Sequence, residues 1–196
     1  MGTRQHLRRL GTVATAVALA AGLTAPASAV TAPAAPVAAA TPYCGITWGS
    51  LAKSSSTTTT GTLTNVRSGR HACFDRLVLD VAKVPGSLGY DVRYVTTVRE
   101  DGSGKAVPLK GDADLQIVLR APAYDGKGRA TYTPRSRTNL VDVTGYSTFR
   151  QVAWAGSFEG QTTIGLGVRA RLPMRVMVLD GPGDGARLVI DVAHRW

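Results

Sequence analysis

From Leu63 onward the apolar residues of this chain recur at every second position, and a period of two restricts the fold more than any other feature. Leu77, Leu79 and Val81 alternate with Arg76, Val78 and Asp80. The same pattern holds for Leu115, Ile117 and Leu119, for Ile164, Leu166 and Val168, for Met174, Val176 and Val178, and for Leu188, Ile190 and Val192. Alternation of this kind marks strands with one buried face. The intervening segments carry turn chemistry: Pro85-Gly86, Asp101-Gly102-Ser103-Gly104, Asp125-Gly126-Lys127-Gly128 and Gly181-Pro182-Gly183-Asp184-Gly185. The last of these joins two alternating runs and predicts a hairpin from Arg175 to Val192. No stretch of ten or more residues has the period of an amphipathic helix. Six to nine short strands at this spacing predict an all-β fold, a single antiparallel β-sandwich.

One internal echo bears on topology. Residues 76–83 read RLVLDVAK and residues 187–194 read RLVIDVAH. If the two strands pair antiparallel, Arg76 meets Asp191 and Asp80 meets Arg187, a cross-strand charge ladder that helps fix register. A carboxylate dyad of Asp80 and Asp191 would need both acids freed from those arginines.

The start of the chain has another character. Arg4, Arg8 and Arg9 precede an uncharged Ala/Val/Leu-rich run from Leu10 to Leu23, and Ala27-Ser28-Ala29 offers small residues at a cleavage site. Residues 1–29 therefore read as a signal peptide cut between Ala29 and Val30. The apolar run is about 14 residues, short of the roughly 20 a membrane span needs. The residue directly after the cleavage site is Val30 and not cysteine, so a lipid anchor is not expected, and the mature form is expected to carry no membrane span. Val30 to Pro42 (VTAPAAPVAAATP) reads as an Ala/Pro-rich linker, and residues 43–196 as the folded domain.

Export gives the two cysteines a meaning. Cys44 and Cys73 are most simply a disulfide in an oxidising compartment. It would close a loop that also holds the polar run Ser54 to Thr60, read as a surface loop. Charge narrows the partners. The formal charge is +10, and removing Arg4, Arg8 and Arg9 leaves about +7, with 18 arginines to 5 lysines in the whole chain. Arginine favours bidentate contact with carboxylates and phosphates. For a secreted domain the available anions are cell-wall polymers, lipid headgroups and exopolysaccharides; nucleic acid is not expected.

Catalytic constellations are missing. There is no Gly-x-Ser-x-Gly elbow, no His-Glu-x-x-His and no phosphate-binding loop. The mature part has two histidines, His71 and His194, and no serine is placed beside either. Asp112 and Asp114 read as solvated acids at a strand start rather than a calcium site. Asp75 and Glu159 are the acids to test for glycoside hydrolysis, with a solvated loop acid as the default. No metal, no cofactor and no enzymatic activity are expected. What remains suits binding. Tyr90, Val92 and Tyr94 alternate with Asp91 and Arg93, and Tyr146 to Phe158 (YSTFRQVAWAGSF) combines four aromatics with Arg150 and Gln151. Tyr90, Arg93, Tyr94, Phe149, Arg150 and Trp154 form the candidate binding surface, because rings stack and guanidinium groups orient a polymer. For any single one of these rings, and for Trp48, Trp154 and Trp196, the core is the default reading.

Four segments in order carry a family resemblance: Tyr43-Cys44-Gly45-Ile46-Thr47-Trp48-Gly49-Ser50, Arg70-His71-Ala72-Cys73-Phe74-Asp75-Arg76-Leu77-Val78-Leu79-Asp80, Gly89-Tyr90-Asp91-Val92-Arg93-Tyr94-Val95, and Arg187-Leu188-Val189-Ile190-Asp191-Val192-Ala193-His194. Together they resemble the AMIN-like domain of secreted and lipoprotein actinobacterial proteins, over residues 43–196. That family is distantly similar to AMIN domains, β-sandwich modules of periplasmic amidases and secretins associated with peptidoglycan. The resemblance implies a non-catalytic, wall-associated β-sandwich that binds peptidoglycan or another anionic glycopolymer. The alternatives are a module that recruits an envelope protein by strand addition, and a carboxylate-dependent hydrolase. A secreted monomer, wall-associated through what it binds, is expected.

Overall fold

A computed structural model describes residues 42–196. The leader, the Ala29–Val30 junction and the linker up to its last residue lie outside the described residues. After a single 3₁₀ turn at Tyr43–Gly45 the chain is all-β: β1 (Lys53–Ser55), β2 (Thr62–Arg70), β3 (Phe74–Ala82), β4 (Tyr90–Val95), β5 (Val98–Arg99), β6 (Ala106–Val107), β7 (Ala113–Leu119), β8 (Phe149–Phe158), β9 (Gln161–Val168), β10 (Met174–Asp180) and β11 (Ala186–Ala193). A five-stranded sheet runs β1-β4-β7-β9-β8, a four-stranded sheet runs β10-β11-β3-β2, and β5-β6 form a small ribbon. The pairings within these sheets are antiparallel.

The alternating residues fill the space between the two sheets. Leu77, Leu79, Val81, Leu188, Ile190 and Val192 from one sheet meet Leu115, Ile117, Leu119, Ile164, Leu166 and Val168 from the other in one buried cluster. Burying each such side chain stabilises the fold by about 1.5–3 kcal/mol relative to leaving it in water. The hairpins follow the turn residues. β8 and β9 are joined by Glu159-Gly160, both at positive φ (47° and 81°), as a tight two-residue hairpin requires. β10 and β11 pair across the expected Gly181–Gly185 turn. The polar run Ser54 to Thr60 is not wholly loop: Ser54 and Ser55 lie in β1 and pair with Asp91 and Tyr90.

The two echo strands, β3 and β11, are central neighbours, with Asp191 opposite Arg76 and Arg187 opposite Asp80. Only one rung of the expected ladder forms. Arg76 Nε lies 2.7 Å from Asp191 Oδ1, and Arg175 of β10 donates to Asp191 Oδ2 at 2.6 Å. Asp80 instead accepts from Arg67 Nε at 2.9 Å and from the Asn65 amide at 3.0 Å, while Arg187 donates to the Asp180 carbonyl at 2.8 Å. The reason is a third strand. β2 lies on the other side of β3, and its irregularity between Leu63 and Asn65 sets Asn65 opposite Asp80. The carboxylate dyad is therefore occupied at both members.

The segment before β1 covers the outer face at this point. Cys44 and Cys73 form a disulfide with Cα atoms 6.5 Å apart. Trp48 donates from Nε1 to the Tyr43 carbonyl and packs against Phe74, ring centroids 5.9 Å apart. The Arg175 guanidinium lies 5.7 Å from both ring centres. Asp191 is fully buried as a result. Trp154 is buried too, Trp48 half-buried, and Trp196 exposed.

Replacing both Cys44 and Cys73 by Ser should lower stability by about 3–4 kcal/mol, from the 29-residue separation of the pair. Asp191→Asn should cost about 3 kcal/mol, because it leaves two guanidinium groups without their shared acid. Urea unfolding of the two variants checks both figures, and a loss under 1 kcal/mol for Asp191→Asn would show the ion pair to be dispensable.

Candidate functional site

The six residues expected to form a binding surface do not share one exposed face. Phe149 and Trp154 are buried in the sandwich. Tyr90 and Tyr94 point the same way as Val92 and pack against the core. The Tyr94 hydroxyl donates to the Leu172 carbonyl at 2.7 Å and accepts from the Leu172 N–H at 3.1 Å. Burial pushes its pKa up to about 12, against that hydrogen bond and the nearby Arg171 charge. Arg93 and Arg150 are exposed, but on β4 and β8, which β7 and β9 separate. Three strand spacings set them about 14 Å apart across the sheet. Alternation is the cause: in a two-layer fold a ring that alternates with charged residues faces the core.

A cleft of about 440 Å³ forms instead at the far end of β8. Its rings are Tyr124, Tyr132, Trp154 and Phe158, and Asp101 and Arg137 flank them. The backbone irregularity between Trp154 and Gly156 positions the floor. Gly156 sits at φ +120°, and a Cβ there would lie 3.4 Å from the Asp101 nitrogen. That distance is ordinary contact, so it is the positive φ that asks for glycine here; the β5–β6 turn closes on the strand where Asp101 N–H donates to the Ala155 carbonyl at 2.9 Å. Phe158, 49% exposed, lies beside that turn at Gly102.

The opposite wall comes from the long connection between β7 and β8. Tyr132 packs on Trp154 with ring centroids 5.6 Å apart, and the Tyr124 hydroxyl accepts from Gly160 N–H at 3.1 Å. Arg137 contributes its carbonyl to Trp154 N–H at 2.7 Å and its guanidinium to Glu100 at 3.0 Å. Asp101 accepts from the Thr163 hydroxyl through Oδ1 at 2.9 Å, while its buried Oδ2 has no partner. Burial raises the Asp101 pKa above the usual carboxylate value, opposed by the Thr163 bond. Tyr124, Tyr132, Asp101 and Arg137 had no periodic pattern to announce them. The signal available was the length of the β7–β8 connection, since long connections in compact domains are often functional.

Ring faces with adjacent polar groups can stack on the apolar faces of sugars and orient their hydroxyls. The acids proposed for hydrolysis are placed otherwise. Asp75 is not a solvated loop acid but fully buried on β3, bound to the backbone of Thr148 and Phe149; alternation turns it inward beside Leu77. Glu159 is exposed in the β8–β9 turn. Among the described residues no group of three or more His, Cys, Asp or Glu could hold a metal ion, and no helix is long and apolar enough to cross a membrane.

Asp101→Asn tests the electrostatics of the cleft. A carboxyl whose folded pKa is raised binds its proton more tightly in the folded state, so its contribution to stability declines as pH rises through the usual carboxylate range and above. Wild type should therefore lose stability relative to Asp101→Asn between pH 4 and pH 7 in paired urea titrations. Parallel curves would show that the carboxyl titrates as in the unfolded chain.

A family model described as the AMIN-like domain matches residues 61–194. No curated protein and no solved structure matches the chain. The matched span runs from just before β2 to the residue after β11, taking in both echo strands, the buried acids Asp75 and Asp191 and the aromatic cleft. The fold, its central strand pair and this match agree, and the chain belongs to the AMIN-like domain family.

Proposed function

We propose that this is a secreted, non-catalytic binding module for a cell-wall polymer, peptidoglycan first, and that the polymer's sugars lie in the aromatic cleft on β8. The observation that carries the reading is four rings around one cleft, one of them half exposed, in a domain of a cell-wall-related family. The disulfide and the leader-like residues 1–29 support a location outside the cytoplasm. The acids Asp75, Asp80 and Asp191 are each committed to structural partners, which supports a module without catalysis. A net positive charge suits an acidic wall.

A second reading, recruitment of an envelope protein by strand addition, has its own support. The outer edge of β8 is covered by Arg137 and Leu140, which hydrogen-bond to Trp154 and Val152. The outer edge of β10 beyond Met174 pairs with no strand among the described residues. An open edge can take an extended partner.

Purified sacculi should retain the mature domain over a neutral secreted control at low salt. Phe158→Ala should weaken retention about tenfold, the typical cost of truncating an exposed aromatic anchor. Retention equal to the control sinks the wall-binding reading; retention unaffected by Phe158→Ala removes the cleft from it. Binding that appears only when other envelope proteins are present would favour the open edge of β10.

A further inference from the structure

A second cleft, of about 680 Å³, lies beside the first residues of β8, between the loop from Asn139 to Tyr146 and Lys110. The backbone at its rim is polarised by a buried acid. Asp75 Oδ2 accepts from the N–H groups of Thr148 at 2.5 Å and Phe149 at 3.2 Å, and Oδ1 faces His194 Nε2 at 3.2 Å. Beside these anchored amides, two arginines collect carbonyls of the same segment. Arg150 donates to the carbonyls of Tyr146 at 3.1 Å, Phe149 at 2.9 Å and Ser147 at 3.4 Å. Arg70 donates to the Gly145 carbonyl at 3.4 Å, and its guanidinium lies 6.0 Å from the centre of the Tyr146 ring.

Lys110 is placed from the opposite side. Its N–H donates to Gln151 Oε1 at 2.8 Å, and its backbone lies so close to β9 that a Cβ on Gly167 would stand 2.1 Å from the Lys110 carbonyl oxygen. Arg70, Lys110 and Arg150 are all exposed, and none forms an ion pair among the described residues. Six other arginines do, while Arg99, Arg120, Arg135, Arg169, Arg171, Arg187 and Arg195 do not; what sets Lys110 and Arg150 apart is that they line one cleft. The acid that lines the cleft is Asp142, which accepts from Thr144 N–H at 2.9 Å. Lys110 and Arg150 thus line the cleft with a single acid, Arg70 lies against its Gly145–Tyr146 rim, and carbonyl dipoles orient the guanidinium groups without neutralising them. A guanidinium held in that way presents its remaining N–H groups to a planar anion as a bidentate fork.

We propose that this cleft is a carboxylate-binding subsite, taking the free carboxylates of a peptide-substituted glycan whose sugars occupy the aromatic cleft. The inference rests on the wall-binding reading above and names the chemistry that reading left open. The two clefts flank the same strand. Arg150 and Phe158 are eight residues apart on β8, about 26 Å along an extended chain, a span that several linked sugars and one peptide branch cover. A guanidinium fork takes carboxylate and phosphate alike; the peptide branch is chosen because its carboxylates are carried on the same glycan that the wall-binding reading places in the aromatic cleft.

The probe is a soluble disaccharide-peptide from peptidoglycan, in free-acid and fully amidated forms, titrated into the ¹⁵N-labelled domain with sacculus retention measured in parallel. The free acid should bind about tenfold tighter than the amidated form and shift the amides of residues 145–150. Arg70→Gln with Arg150→Gln, and Lys110→Gln alone, should each remove most of that preference and flatten the salt dependence; Arg150→Lys should restore only part. Phe158→Ala should weaken both forms alike. Equal affinity for the two forms, no binding of the free acid, or tighter binding of a glycerol-phosphate oligomer overturns the inference. If sacculi are still retained, only the subsite falls; if wild type is not retained, the wall-binding reading falls with it.

Discussion

The carboxylate of Asp191 has no exposed surface, yet it lies on the outward side of β11, where alternation would set it in water. Two guanidinium groups, from Arg76 on one neighbouring strand and Arg175 on the other, hold both of its oxygens. It stays buried because the disulfide ties the Trp48 segment beside Phe74, and the two rings cover the arginines. A buried ion pair is weak evidence of net stability, since desolvation offsets much of the attraction. Its value here is in register. A slip of one residue between β3 and β11 would turn Arg76 and Asp191 to opposite faces and drive apolar side chains into solvent.

Asp75 repeats this logic on the inner side of the same sheet. It lies on β3, next to Arg76, but one of its oxygens holds backbone amides at the entry to β8 in the other sheet and the second faces His194. One acid locks strand to strand and the other locks sheet to sheet.

β8 is consequently the strand on which structure and proposed function meet. Its first residues anchor the cationic cleft, its irregular C-terminal half floors the aromatic one, and the segment from Arg137 to Leu140 crosses its outer edge between them. A strand so covered is protected from pairing with another chain. The proposed wall polymer would meet two clefts of different chemistry that both draw on this strand.

Period-two alternation by itself determined the all-β class, the inward faces of β3, β7, β9, β10 and β11, and the last hairpin, because a strand's hydrophobic pattern is local and repeats with the backbone. The two cysteines determined their own pairing, and the repeated RLV-x-DVA segment gave the register of β3 and β11 on the condition that they pair; that they are neighbours was decided by the fold. Three further things were decided only by the tertiary structure. Arg67 rather than Arg187 took Asp80, since which strand lies beyond β3 is not written in β3. Tyr90, Tyr94, Phe149 and Trp154 went to the core, since an aromatic residue reads the same whether its face meets solvent or the opposite sheet. The two clefts came from Asp101, Tyr124, Tyr132, Arg70 and Lys110, residues distant in sequence and on irregular segments, which only the packing of loops against β8 brings together.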